Sequence, residues 1–434
     1  MDAPAASPQP VGEAEPVPAA PSGRLWNRNF TLLWIGQTVS HFGNPAFNIG
    51  AMFWMMKATG SASLMGLLAT VSMLPGVLLA PFGGAFADRH SRIRIAVISD
   101  LIAGLAVLAF ALMVWLRPDD QSVVIPLLFA VSLILGLVRA FFGPAVQAAL
   151  PDLVPAEKLA AANSMNQLAF QASIFSGQAL GGVLYTFLGA PALFLIDALS
   201  YLFATGCTAA IPRDTPPAAV SDEKIHPFRQ LLNDTGEGVR YVWSNTGMRD
   251  FVLMASLINF LAAPAFILFP FFVDRYMKVG AQWYGFIVAG ISVGSVLGFI
   301  LAGSLPLKGA QRGRALLAAM VMYPIFASLL VFLRSPIPVV LAVGASGIAV
   351  GFINVFFITS LQRSTPAELR GRVMGFLGTL SAGLMPLGMA LGGVAGDLTD
   401  KNVPLVIGVC AALALLVIIV LGFRRPCREF LAAS

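Results

Sequence analysis

Gly177-Gln178-Ala179-Leu180-Gly181-Gly182-Val183 returns 211 residues later as Gly388-Met389-Ala390-Leu391-Gly392-Gly393-Val394. The same offset carries Pro155-Ala156-Glu157 onto Pro366-Ala367-Glu368. Earlier in the chain, Gly66 and Gly84 answer Gly285 and Gly303 at an offset of 219. Three matches in one order describe a duplicated chain. The change of offset fits a longer loop between the third and fourth apolar runs of the first copy.

What was duplicated follows from composition. Of 434 residues, 57% are hydrophobic and 11% charged, with mean hydropathy +0.82. Soluble domains carry roughly 25% charged residues, so the polar residues here are too few to cover a water-soluble fold. Apolar runs fall near 30–56, 61–87, 93–116, 123–150, 159–188, 190–211, 249–275, 280–306, 312–334, 336–362, 370–398 and 402–423. A spanning helix needs about 20 such residues. The chain therefore reads as an all-α polytopic membrane protein with twelve transmembrane helices. Parallel repeats of six imply two bundles related by a pseudo-twofold axis along the membrane normal, with a cavity between them.

The domain reading follows these runs. Residues 1–24, rich in Ala and Pro and without a signal-peptide pattern, form a disordered tail. Residues 25–211 form the first bundle, 212–248 a linker with an interfacial helix, 249–425 the second bundle and 426–434 a second tail. In the linker, Phe228, Leu231, Leu232, Val239, Tyr241, Val242 and Trp243 interleave with charges, as an interfacial helix requires.

Charge placement sets orientation. The formal net charge is +6, but the basic residues sit in short loops, which argues for topology signals and against nucleic acid. With the N-terminus inside, 20 of the 27 Lys and Arg fall on the cytoplasmic side and 6 outside, Arg139 lying within a span. Both termini are thus expected in the cytoplasm, with the chain in a bacterial inner membrane. Cys207, Cys410 and Cys427 have no metal or redox spacing. Phosphate-loop, zinc and nucleophile-elbow patterns are missing too. Neither an enzyme nor a metal or cofactor site is expected.

After the second run comes Gly84-Ala-Phe-Ala-Asp88-Arg89-His-Ser-Arg92-Ile-Arg94. This resembles the signature loop of the major facilitator superfamily. The resemblance implies a cytoplasmic gate of Gly84, Asp88, Arg89, Arg92 and Asp100, in which the Asp88 carboxylate latches onto a helix N-terminus of the other half. Further stretches resemble the drug:proton antiporter branch of macrolide-efflux and enterobactin or siderophore exporters. They are Ser40-His-Phe-Gly43, Thr59-Gly60-Ser61-Ala62, Asp100, Pro144, Leu150-Pro-Asp-Leu-Val-Pro155, Ala162-Asn-Ser164 and Phe194-Leu-Ile-Asp197-Ala-Leu-Ser200. The likeness covers about residues 25–425.

Polar groups inside the spans are the functional candidates. Gln37, His41, Asn44 and Asn48 share one helix face, as do Gly136, Arg139, Gly143 and Gln147. In a fold of the resembled kind, spans 1, 4, 7 and 10 line the cavity. The expected lining is then Gln37, His41, Asn44, Asn48, Phe142, Gln147, Asn259 and Asn354, with Phe42, Phe47, Phe53, Trp54 and Phe141 in range. A mid-bilayer Arg costs about 2.5–3.5 kcal/mol on insertion scales, so Arg139 needs water or a partner, Asp100 and Asp197 being the acids available. Arg139 resembles the span 4 Arg that the superfamily links to proton coupling, and Asp197 and His41 are the titratable groups to join it. Glycines 290, 294 and 298, and 388, 392 and 396, form ridges for close helix packing.

The resemblance implies a monomeric exporter of an amphipathic, drug-like or siderophore-like small molecule, working by alternating access and proton antiport. Two other readings stay open: a lipid or metabolite transporter of the same fold, and a non-transporting membrane sensor or scaffold.

Overall fold

The computed structural model describes residues 24–212, 227–307 and 309–433. All but the last residue of the expected first tail, and most of the linker ahead of its helix, lie outside the described residues.

Polar caps ahead of apolar runs set where helices begin. Asn27, Ser61, Ser91, Asn245 and Asn402 each accept a backbone N–H of the helix they precede. The helices are α1 (Arg28–Thr59), α2 (Ala62–Ala87), α3 (Arg92–Leu116), α4 (Gln121–Leu153), α5 (Leu159–Ala209) and α6 (Pro227–Ser244), then α7 (Thr246–Phe271), α8 (Ala281–Ser304), α9 (Gly309–Leu329), α10 (Pro336–Ser364), α11 (Ala367–Leu398), α12 (Val403–Val417) and α13 (Arg425–Ala433). α5 turns back on itself at Gly189, whose φ of 74° and ψ of 176° suit glycine alone. It therefore crosses twice, as the expected break between residues 188 and 190 requires.

Nine stretches among the described residues are long and apolar enough to cross a membrane, α5 counting as one. α1 and α9 are the remaining passes. α1 is diluted by its polar stripe and α9 by Arg312 and Arg314. The twelve passes form two six-helix bundles. Outward-facing side chains such as Leu116, Phe187, Ile300, Phe332, Leu341 and Leu398 are exposed, which suits hydrocarbon as solvent.

At one end lie the loops carrying Arg89, Arg92, Arg94, Arg363, Arg370 and Arg372, here the basic end; the far end holds Gly60, Gly189, Gly280 and Asp400. The largest apolar core runs through both halves, from Phe47, Phe110 and Phe194 to Tyr284 and Met389. Towards the basic end the core divides. One cluster there is made of second-half residues around Phe251, Phe356 and Phe430, and smaller ones of first-half residues around Leu33 and Phe30.

Two differences from expectation have plain causes. Residues 426–434, read as a tail, belong mostly to α13, because Cys427, Phe430 and Leu431 fall on one face and bury against α7 and α9. The interfacial helix exists as α6 but is tied to the second half: Tyr241 donates to the Ser364 carbonyl at the end of α10 at 2.9 Å, and Glu237 pairs with Arg372 of α11. Phe47 and Phe53, placed in range of the cavity, are core residues with 4% and 2% exposure.

Candidate functional site

The halves meet along two crossings, α2 on α11 and α5 on α8. A Cβ on Gly66 would lie 2.5 Å from the Met389 carbonyl oxygen, and one on Gly285 would lie 2.6 Å from that of Gln178. Gly182 likewise abuts the Ala281 carbonyl and Gly393 that of Ala62. These four glycines are the repeat-related positions of the sequence, so the duplication is visible as two equivalent contacts.

The ridges sit elsewhere. Gly177 and Gly181 pack on α1 and Gly290, Gly294 and Gly298 on α10, each within its own half, while Gly388, Gly392 and Gly396 pack on α7, with Gly396 also facing Ala62 across the halves.

All the cross-half contacts just named lie towards the far end, which carries the strongest of them. The Asp397 carboxylate, at the end of α11, accepts from Ser61 Oγ at 2.8 Å and from the Ala62 and Ser63 amides at 2.9 Å. Lys401 Nζ stands 3.4 Å away. A carboxylate on a helix N-terminus gains about 0.3–1 kcal/mol from the dipole, besides the charge-assisted hydrogen bonds. At the repeat-related crossing the pair is neutral, Thr186 donating to Gln282 Oε1 at 2.8 Å. The far end is thus closed by one charged and one neutral clasp. At the basic end, Gly84, Gly303, Gly371, Gly375 and Gly378 have no described atom near the position of a Cβ.

Midway along α1 and α4 lies a polar node. Asn44 Oδ1 accepts from Arg139 Nη2 at 3.2 Å and from the Tyr201 hydroxyl at 2.7 Å, while Asn44 Nδ2 donates to the Ser40 carbonyl at 3.0 Å. The amide is held in one orientation. Asp100 and Asp197 were the acids available to Arg139, and neither forms an ion pair with it among the described residues. Asp100 is buried and accepts from Gln37 Nε2 at 3.3 Å. Gln37, expected on the cavity stripe, is turned into α3 instead. Asp197 has 0% exposure, and neither carboxyl oxygen has a hydrogen-bond partner among the described residues. It lies so close to α1 that a Cβ on Gly43 would stand 2.5 Å from Oδ1.

α4 carries two exposed faces. Leu133 and Leu137 form one, while Arg139 and Gln147, four-residue steps either side of Gly143, form another about 200° round the helix. The apolar face suits lipid, and the polar face, bonded to α1, does not. Asn48, Asn259 and Asn354 are also exposed. Asn354 Nδ2 bonds only to its own helix at Val350. His41 is half-buried, its ring edge-on to Phe170 at 5.1 Å. Phe142 is half-buried.

In the gate loop, Asp88 and Arg89 are exposed, and the Asp88 carboxylate has no partner among the described residues. Arg92 is committed to its own half, bonding Asp152 at 2.6 Å and the Ala148 carbonyl at 3.0 Å.

Sequence reasoning did not single out Tyr201 or Asp397, and gave Ser61, within the stretch Thr59–Ala62, no role. Tyr201 could have been found as the i+4 neighbour of Asp197, and Ser61 as a cap residue. Asp397 offered no sequence signal.

Two duplicated six-helix bundles, closed on each other at one end and parted at the other around a polar node, define a membrane transporter of the major facilitator class. Residues 19–433 match a family described as transmembrane secretion effector. The chain belongs to that family. It is 25% identical over 381 residues to "Macrolide efflux protein A" of Streptococcus pyogenes, covering 87% of this chain and 91% of that one. To "Multidrug efflux pump Tap" of Mycobacterium tuberculosis it is 26% identical over 385 residues, covering 86% and 88%. In fold it resembles a bacterial homologue of the iron transporter ferroportin in an inward-facing state, with TM-score 0.70, 17% identity, and coverage of 92% of this chain and 100% of that one.

Proposed function

We propose that the chain is a proton-coupled exporter of amphipathic small molecules, drug-like or siderophore-like, with its basic end in the cytoplasm of an inner-membrane cell face. The observation that carries the reading is the polar node of Arg139, Asn44 and Tyr201 beside the unpartnered Asp197, at the depth where the two halves begin to part. The efflux proteins it resembles over most of its length support the direction and the cargo class.

In this state the gap opens at the basic end, where a cytoplasmic solute enters between Asn48, Gln147, Asn259 and Asn354. Apolar and amide groups there suit a bulky, weakly charged molecule better than a phosphorylated one, which would call for several arginines. Asp197, buried against α1 beside the node with neither carboxyl oxygen bonded among the described residues, is the proton carrier in this reading. Rocking the halves about the Gly66 and Gly285 crossings would open the far end and let Asp197 meet water and Arg139. His41, against Phe170, is an accessory titrating group. The Asp88 latch forms only in that opposite state.

The test is flux of a macrolide such as erythromycin in proteoliposomes with an imposed pH gradient. Gradient-driven flux is expected for the native protein. Asp197→Asn should abolish it while retaining solute counterflow. Full gradient-driven flux in that variant would remove Asp197 from the mechanism, and native flux indifferent to pH would remove antiport.

A further inference from the structure

Outside the transport path, at the basic end of the second half, a cleft of about 380 Å³ lies between the first turns of α9 and the helix α13. Its lining includes Arg314, Arg425, Arg428 and Glu429, with Gly313 and Leu431 at its floor. Arg425 is already paired, Nε to Glu429 Oε1 at 2.7 Å. Arg314 uses only Nε, on the Ala310 carbonyl at 3.3 Å, leaving both terminal nitrogens of its guanidinium. The Arg428 guanidinium has no partner among the described residues. Two cationic side chains on different helices thus face one cleft with spare donors.

What adjoins the cleft identifies the ligand. Arg314, Ala318, Met322, Ile325 and Leu329 are spaced by four, four, three and four residues, which places them on one face of α9. All five are exposed. Below Arg314, an apolar strip therefore runs down the side of the bundle, with Met322 47% and Ile325 44% exposed. A free phosphate would use the arginines and ignore the strip. A phospholipid uses both, its phosphate at the cleft and an acyl chain along α9. Basic pockets between transmembrane helices at a membrane surface bind anionic headgroups in this way.

We propose that this cleft is a binding site for an anionic phospholipid, with Arg314 and Arg428 on the phosphate and the Ala318–Leu329 face of α9 against the chain. Bound there, the lipid staples α13 to α9 and so anchors the second half to the membrane surface.

Native mass spectrometry of the full chain, released from detergent with phosphatidylglycerol or phosphatidylcholine of equal chain length, tests this. Retention of phosphatidylglycerol over phosphatidylcholine is expected, with no competition from inorganic phosphate at matched concentration. The double variant Arg314→Gln/Arg428→Gln should lose about thirtyfold in phosphatidylglycerol retention, and Met322→Glu should weaken it too. Arg117→Gln, the loss of one such charge at the far end, should not. Equal retention of both lipids overturns the site, and needs no variant to be informative. Full displacement by phosphate would instead make it a soluble-anion site, and unchanged retention in the double variant would place the lipid elsewhere.

Discussion

The Gly66 Cα and the Met389 carbonyl approach so closely that a Cβ at residue 66 would stand 2.5 Å from the oxygen. Repeat-related Gly285 and Gln178 do the same on the other side of the molecule. At these two points the halves touch backbone to backbone, a closeness that only small residues permit, while side chains such as Phe53 and Tyr284 pack across the halves beside them.

Substituting Gly66 or Gly285 by Val should therefore part the halves at the far end. Overpacking a tight contact costs about 1–3 kcal/mol. Spin labels at Lys57 and Asp400 should report a longer distance in either variant. Gly294→Ala or Gly298→Ala, which crowd α8 against α10 within one half, should lower the melting temperature and leave that distance alone.

The charged clasp should be separable from its hydrogen bonds. Asp397→Asn keeps an acceptor for Ser61 but drops the charge that faces the α2 N-terminus. A loss of about 0.3–1 kcal/mol corresponds to roughly a two- to fivefold fall in the ratio of far-end-closed to far-end-open molecules. Asp397→Ala should fall further, and Thr186→Val, at the neutral crossing, least. The same label pair measures all three.

At the node, Asn44 matters more than Tyr201 for stability. Tyr201→Phe removes one 2.7 Å bond, of a kind that averages about 0.6 kcal/mol in membranes. Asn44→Ala removes the side-chain acceptor of Arg139, and an unpaired mid-membrane Arg costs up to about 2.5–3.5 kcal/mol. Thermal unfolding in detergent should rank native above Tyr201→Phe above Asn44→Ala. The reverse order would mean that Arg139 is served by water in the gap.

Asp88→Asn should leave the melting temperature of this state unchanged, because the carboxylate has no partner among the described residues. If the latch operates in the opposite state, the variant shifts the population towards the present one. Label distances across the basic end should then lengthen on average.

Much of the architecture was legible because a membrane enforces local rules. Each helix must satisfy its own backbone in lipid, so the twelve passes and even the reversal at Gly189 could be read from apolar runs. The 211 and 219 offsets revealed the two halves, and the same glycines proved to be where the halves touch. Site residues were legible only in part. Spacing placed Gln37, His41, Asn44 and Asn48 on one side of α1, yet that side is wide enough for Gln37 to face α3 while Asn48 stays exposed. Periodicity says which residues share a face, not which neighbour that face meets.

By itself the sequence determined the class, the number of passes, the duplication and the presence of one intramembrane Arg in need of a partner. Only the tertiary structure decided that the partner is Asn44, that Asp197 stands alone against Gly43, and that Asp397 closes the far end on Ser61. Asn44 and Arg139 are 95 residues apart in the chain, and Ser61 and Asp397 are 336 apart. Local hydropathy carries no information about such pairings, because they are selected by how whole helices pack.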